Sequence, residues 1–288
     1  MTLEIGILFA ITTMLSWGVA DFFAKKAIDK TGYRASLVIN QSVSLVPIFI
    51  CVILFFRVPS FTVDLVFTIL LTGVFGIIGY IFLYRGFQKG NVSVVSPISA
   101  CWAIITTLLA VFLFKEQLTL LQIIGVVVVF VGVFLASTNL AELRKSMKYW
   151  RHNGVMDGII CMIAWGITYA LIKPIVAVAG PIMALLLFRA VAILTLFSWV
   201  GVTKTKISLP ARLIFLFIII AGLLDFSGFL TFNLSLTTEF VSIVGPIAAT
   251  YPAVTVMLAY VFLKERVANN QKIGIAAILT GLALISLS

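Results

Sequence analysis

The chain is written twice. Residues Gly222 to Glu265 fall, 149 positions back, on Gly73 to Glu116, and from 73 to 132 the register runs without a gap. Gly79 meets Gly228, Val92-Ser93 meets Val241-Ser242, Pro97-Ile98 meets Pro246-Ile247, and Lys115-Glu116 meets Lys264-Glu265. Further on, Gln122, Gly125 and Gly132 meet Gln271, Gly274 and Gly281. An earlier block matches at an offset of 148, where Trp17-Gly18, Lys25 and Gly32 meet Trp165-Gly166, Lys173 and Gly180. Apolar residues coincide readily in an apolar chain, but Pro, Gln, Gly and a Lys-Glu pair at fixed offsets do not. The chain is therefore two copies of one unit of roughly 140 residues, and its fold must place that unit twice.

Composition says what surrounds the unit. Hydrophobic residues make up 62% of the chain and charged residues only 10%, against about 25% charged in a soluble domain. The mean hydropathy is +1.22. A soluble globular domain is excluded, and the fold class is all-α integral membrane. Apolar runs of about 20 residues, the length a helix needs to cross ~30 Å of hydrocarbon, occur near 3–24, 35–56, 65–87, 93–114, 119–137, 154–176, 182–202, 213–236, 242–263 and 270–287. That predicts ten transmembrane helices. The first repeat takes 1–137, a linker takes 138–153, and the second repeat takes 154–288. Short connections make neighbouring spans antiparallel hairpins. Five spans per repeat is an odd number, so the second copy enters the membrane from the opposite side. Such inverted-topology repeats are commonly used to hold a midplane site that opens to each side in turn.

Charge sets the orientation. The net charge is +10, and basic loops meet anionic headgroups, not nucleic acid. The connections on one side hold 16 of the 20 Lys and Arg; the other side holds three, Arg57, Lys115 and Lys173, and Arg189 lies within a span. The positive-inside rule then places both termini outside a cell membrane crossed many times. The first run follows no basic segment and precedes no small-residue cleavage site, so it reads as a retained span. In the linker, Leu140, Leu143, Met147 and Trp150 recur at helical spacing among Arg144, Lys145, Lys148 and Arg151. That pattern fits a basic interfacial helix or a solvated linker. Cys51, Cys101 and Cys161 lie in apolar runs and read as packing residues, and the single histidine, His152, leaves nothing for a metal site or a catalytic triad. No metal and no cofactor are expected.

These features together resemble the drug/metabolite transporter superfamily, in its EamA-type branch, over nearly the whole chain. The carriers are Trp17-Gly18 and Trp165-Gly166, each with a Lys eight residues after the Trp, Ser96-Pro97 and Gly245-Pro246, and the closing runs Lys115-Glu116 with Gln122 and Gly125, and Lys264-Glu265 with Gln271 and Gly274. The resemblance implies ten helices, a central cavity and alternating access for small metabolites, often amino acids. It also implies termini in the cytoplasm, opposite to the charge count.

The residues divide into structural and functional candidates. Gly125 and Gly132, with Gly274 and Gly281, are seven apart and line one helix face for close helix contact. Pro97 and Pro246 each remove a backbone donor, and read as matched hinges or as helix-start prolines. Glu116 and Glu265 close spans 4 and 9, where a cap on the next helix is the expected role. Trp17 and Asp21 in span 1, Trp165 and Tyr169 in span 6, Tyr80 and Tyr84 in span 3, Trp102 in span 4 and Tyr251 in span 9 form a recurring aromatic face. Asn40 lies in span 2.

Arg189 and Asp225 are ionisable groups inside spans, which are costly and mark functional positions. At 1.5 Å per residue, they reach similar depth on adjacent antiparallel helices. That predicts that both face the bundle interior and pair, directly or through water, with Arg189 holding a substrate carboxylate and Asp225 neutralising it when empty and taking a proton. The function expected is a secondary transporter of a small organic metabolite, monomeric or weakly dimeric, possessing no enzyme activity. A channel, a sensor and a membrane enzyme are the rival readings. Clustered catalytic groups would mark the enzyme and carboxylate rings the channel.

Overall fold

The computed structural model describes residues 2–55, 61–90, 92–137, 154–204, 207, 209–263 and 269–286. The linker with His152, the Arg57-Val58-Pro59 break and the Lys264-Glu265 pair lie outside the described residues. Among the described residues there is no strand, as an apolar medium requires of a chain that must bond its own backbone. The first repeat supplies α1 (Thr2–Thr31), α2 (Tyr33–Phe55), α3 (Val63–Lys89), α4 (Val92–Ala100), α5 (Trp102–Phe114) and α6 (Leu120–Ser137). The second supplies α7 (Val155–Ala179), α8 (Pro181–Val202), α9 (Arg212–Ser235), α10 (Val241–Ala248), α11 (Tyr251–Leu263) and α12 (Asn269–Ser286). Among the described residues, seven stretches are long and apolar enough to cross a membrane, and Leu120–Ala136, Val241–Thr255 and Lys272–Ile285 are shorter apolar helices.

The fourth run of each repeat is broken at matched positions. Pro97 and Pro246 lie inside α4 and α10, not at their starts. Four residues beyond each proline the helix tightens, with Cys101 N bonding Ile98 O and Thr250 N bonding Ile247 O, and a new helix begins at Trp102 or Tyr251. Side chains occupy carbonyls at both breaks. Ser99 Oγ donates to Ser96 O, and Thr250 Oγ1 donates to Ile247 O, both at 2.8 Å.

The repeats do not form two separate bodies. α1 packs along α9, and its counterpart α7 packs along α3. Likewise α5 lies on α7 and α11 on α1. Small residues make these crossings possible. A Cβ on Gly79 would come within 2.2 Å of the Trp165 ring, and one on Gly228 within 2.5 Å of Trp17. Thr106 Oγ1 bonds Gly166 O at 2.9 Å, and Thr255 Oγ1 bonds Gly18 O at 3.0 Å. α6 and α12 meet at their glycines. A Cβ on Gly132 would be 2.9 Å from Gly274 O, and one on Gly125 3.0 Å from Gly281 O. The two helices run antiparallel in this contact.

Glu116 corrects one expectation. The start of α6 is capped by its own residues, Thr119 N bonding Gln122 Oε1 and Gln122 N bonding Thr119 Oγ1. This is a capping box, and it accounts for the Gln at this place. Glu116 is thereby released to cap α10, in the other repeat.

Candidate functional site

A cavity opens between the repeats. Its walls include Trp17, Asp21, Tyr80, Trp165, Tyr169 and Tyr251, and Asn40 and Asp225 also line it. The helical origin of each group explains the convergence. Trp17 and Asp21 are four apart on α1, Tyr80 and Tyr84 on α3, and Trp165 and Tyr169 on α7, so each pair occupies one helix face. Most of these positions lie in the halves of α1, α2, α3 and α9 nearer the basic connections. The cavity therefore sits toward that side of the bundle.

The aromatic rings form one cluster. Trp17 contacts Tyr169 at 5.4 Å, Tyr251 at 6.2 Å and Trp102 at 6.4 Å between ring centroids, and Tyr80 contacts Trp165 at 5.2 Å. Trp102 is fully buried behind the wall, its ring tilted against that of Tyr169 with centroids 4.1 Å apart. It shapes the cavity without lining it. The two matched tryptophans differ in their polar edges. Trp165 Nε1 donates to Gly76 O at 3.3 Å, whereas Trp17 Nε1 has no partner among the described residues.

Arg189 and Asp225 are in contact. Arg189 Nη2 pairs with Asp225 Oδ2 and Nη1 bonds Gln41 Oε1, while the Tyr80 hydroxyl donates to Asp225 Oδ1 at 2.5 Å. The guanidinium carbon lies 5.5 Å from the Tyr80 ring and 5.2 Å from that of Phe229, in an aromatic sleeve that favours a cation. Arg189 is 0% exposed and does not line the cavity; Asp225 does. Asp21 lines the cavity too. Its bonded neighbour is the Ser96 hydroxyl at 3.4 Å, and among the described residues no cation pairs with it. The prolines lie away from the cavity wall.

Tyr84, on the aromatic face expected from the sequence, also lines the cavity, and so do Ala20, Ala24 and Ala221, which were not among the sequence candidates. Tyr84 carried a signal, its spacing of four from Tyr80. The alanines carried none, because an alanine in an apolar run says nothing about what it faces.

Two charge clusters hold the ends of the bundle. At the face opposite the basic connections, Glu116 accepts from Val241 N at 3.2 Å and Ser242 N at 3.0 Å, and from the Ser242 hydroxyl, while Lys173 of α7 pairs with it. A carboxylate at a helix N-terminus bonds free amides and meets the positive end of the dipole. Nearby, burial pushes the Glu239 carboxyl above its ordinary value and Lys173 pulls it back. At the basic face, Asp157 pairs with Arg85 and Lys89. No group of three or more His, Cys, Asp or Glu residues is placed to hold a metal ion among the described residues.

Comparison with known proteins follows the same outline. The model of the EamA-like transporter family matches residues 4–138 and 152–287. A Methanocaldococcus jannaschii protein, "Uncharacterized protein MJ1333.1", is 29% identical over 138 residues, which are 47% of this chain and 98% of that protein. That relative is about one repeat long. The Bacillus subtilis protein "Uncharacterized transporter YxxF" is 25% identical over 230 residues, 74% of this chain and 67% of its own. One crystal structure superposes with a TM-score of 0.75 over 98% of this chain and 96% of its own, at 14% identity, which is a likeness of fold alone.

Proposed function

The chain belongs to the EamA-like transporter family, and on that premise we propose that it carries a small organic metabolite, an amino acid or similar compound, across a cell membrane by alternating access. It is a multi-pass membrane protein. The observation that carries the reading is the cavity between interleaved repeats, walled by aromatics and holding Asp21 and Asp225. The solute binds there, with Trp17, Trp165, Tyr169, Tyr80 and Tyr251 against its apolar part and Asn40 and the carboxylates at its polar part. Trp102 supports that wall. Arg189 takes a substrate carboxylate when Asp225 accepts a proton and releases it. Pro97 and Pro246 mark the places where the broken helices bend between states.

The ten-span, inverted arrangement, with repeats at 1–137 and 154–288, is part of the proposal, and reciprocal contacts support it. Gly125 with Gly281 and Gly132 with Gly274 are one contact seen twice under the offset of 149, on equivalent helices that run antiparallel. Gln41 and Arg189, which occupy matched positions, touch each other, as residues beside a two-fold axis do. The Glu116, Lys173 and Ser242 cluster closes the face opposite the basic connections, so the cavity faces the basic side. With the positive-inside rule that side is the cytoplasm, and the termini are outside.

The test of transport is flux. Proteoliposomes holding the purified protein, loaded with a mixture of amino acids and other small metabolites, should release at least one compound faster than protein-free vesicles do, read by mass spectrometry. Retention of every compound at the empty-vesicle rate sinks the transporter reading. Orientation has its own test. Cysteines placed at Ser288 and at Ser146, in a background lacking Cys51, Cys101 and Cys161, should react differently in intact cells, the first with an impermeant maleimide and the second only after permeabilisation. The reverse pattern overturns the assignment of termini.

A further inference from the structure

We infer that the solute carries a protonated amine and that Asp21 is the group that receives it. This deepens the transport reading and rests on it for calling the ligand a solute.

Among the described residues, the acidic and basic side chains of the bundle interior beside the cavity are Asp21, Asp225 and Arg189. The last two cancel. Arg189 is enclosed, with one Nη on Gln41 and the other on Asp225, and Asp225 has its second oxygen on the Tyr80 hydroxyl. Asp21 has no such balance. It is 9% exposed and faces the cavity, with the Ser96 hydroxyl at 3.4 Å and no cation of the described residues beside it. The cavity therefore presents one carboxyl group that no cation of the described residues balances. A buried carboxyl group is either protonated or set beside a counter-charge; an ammonium group supplies that charge when the proton leaves, and an anionic solute does not.

The walls select which cation. Trp17 stands one turn before Asp21 on α1, and Tyr84, Tyr169 and Tyr251 complete the surroundings. Aromatic faces attract cations and repel carboxylates. They suit an alkylammonium group, which gives up its water more readily than an inorganic ion. The described residues also bring no third carboxylate, His or Cys to complete a metal site. The placement is one-sided. Under the offset of 148, Asp21 falls on Tyr169, so the two halves of the cavity differ in charge, and the amine orients the solute toward α1. Free amines and amino acids share this group. The Arg189–Asp225 pair, once open, would add a carboxylate contact for amino acids only.

The experiment uses probes matched in skeleton and opposite in charge. 2-Phenylethylamine with 3-phenylpropionate, and butylamine with butyrate, are added at millimolar concentration to the purified full-length protein, and thermal unfolding is followed. At least one amine should raise the midpoint while its carboxylate match does not. Asp21→Asn, which keeps the shape and removes the charge, should weaken that amine roughly tenfold or more, the value of a charge-assisted bond. Asp21→Glu should restore part of it. Four results overturn the inference: a shift by a carboxylate in place of its amine, an amine shift that survives in Asp21→Asn, no shift by either amine, or a shift by sodium over potassium with none by amines. The flux test stands apart. Amine binding without flux of any metabolite removes the transport reading and keeps the amine site, whereas flux restricted to solutes lacking an amine does the opposite.

Discussion

Arg189→Gln should destabilise the purified protein by roughly 3–5 kcal/mol, the loss found when one partner of a buried ion pair is removed. The variant leaves the Asp225 carboxylate, 6% exposed, with the Tyr80 hydroxyl as its remaining partner. Arg189→Gln together with Asp225→Asn should cost only about 1–2 kcal/mol, because two neutral amides can bond Gln41 and Tyr80 in place of the charges. Thermal unfolding of the two single variants and the double variant measures the difference as a coupling energy. Losses that simply add would mean that the two groups do not depend on each other. Transport separates structure from function. A double variant that regains stability and still moves no solute assigns the pair a part in the cycle. One that transports normally leaves it a neutralised structural pair.

Gly274→Leu should be the most damaging single substitution at the contact of α6 and α12. Even a Cβ at this position would lie 2.1 Å from Ala136 N and 2.6 Å from Gly132 O, which are backbone atoms that cannot swing aside. The helices must separate along their length. Lipid supplies no hydrophobic drive to hold them, and their close packing is what binds them. The expected loss is roughly 1–3 kcal/mol or more, read as a fall in the unfolding midpoint. Gly201→Ala is the counter-measurement. It lies near the end of α8 with nothing within 4 Å of an added Cβ, so the substitution should be neutral or gain up to ~1 kcal/mol from helix propensity. Equal effects at both positions would remove the case for a glycine-dependent contact.

The sequence by itself determined the repeat, the membrane as solvent and the charges worth following. Pro97 and Pro246, the paired glycines and the two Trp-Gly steps were legible because they recur at fixed offsets in residue types that composition does not supply by accident. Arg189 and Asp225 were legible as partners because depth along a straight helix is arithmetic, and two charges at one depth on adjacent helices have few other places to go. Asp21 was legible as a candidate, since a carboxylate in an apolar run needs a reason.

The tertiary structure decided who meets whom. Glu116 caps α10 of the other repeat and not α6, because Thr119 and Gln122 already serve α6. Gln41 and Tyr80 complete the Arg189–Asp225 pair, Tyr84 joins the cavity wall, and α1 lies on α9 while α7 lies on α3, so the halves interleave. The physical reason is the same in each case. A helical pattern reports what medium each face of a helix touches. It does not report how far that helix is rotated, or which distant helix fills the groove beside it. Those are set by side chains and glycines far apart in the chain, packing together only when the bundle closes.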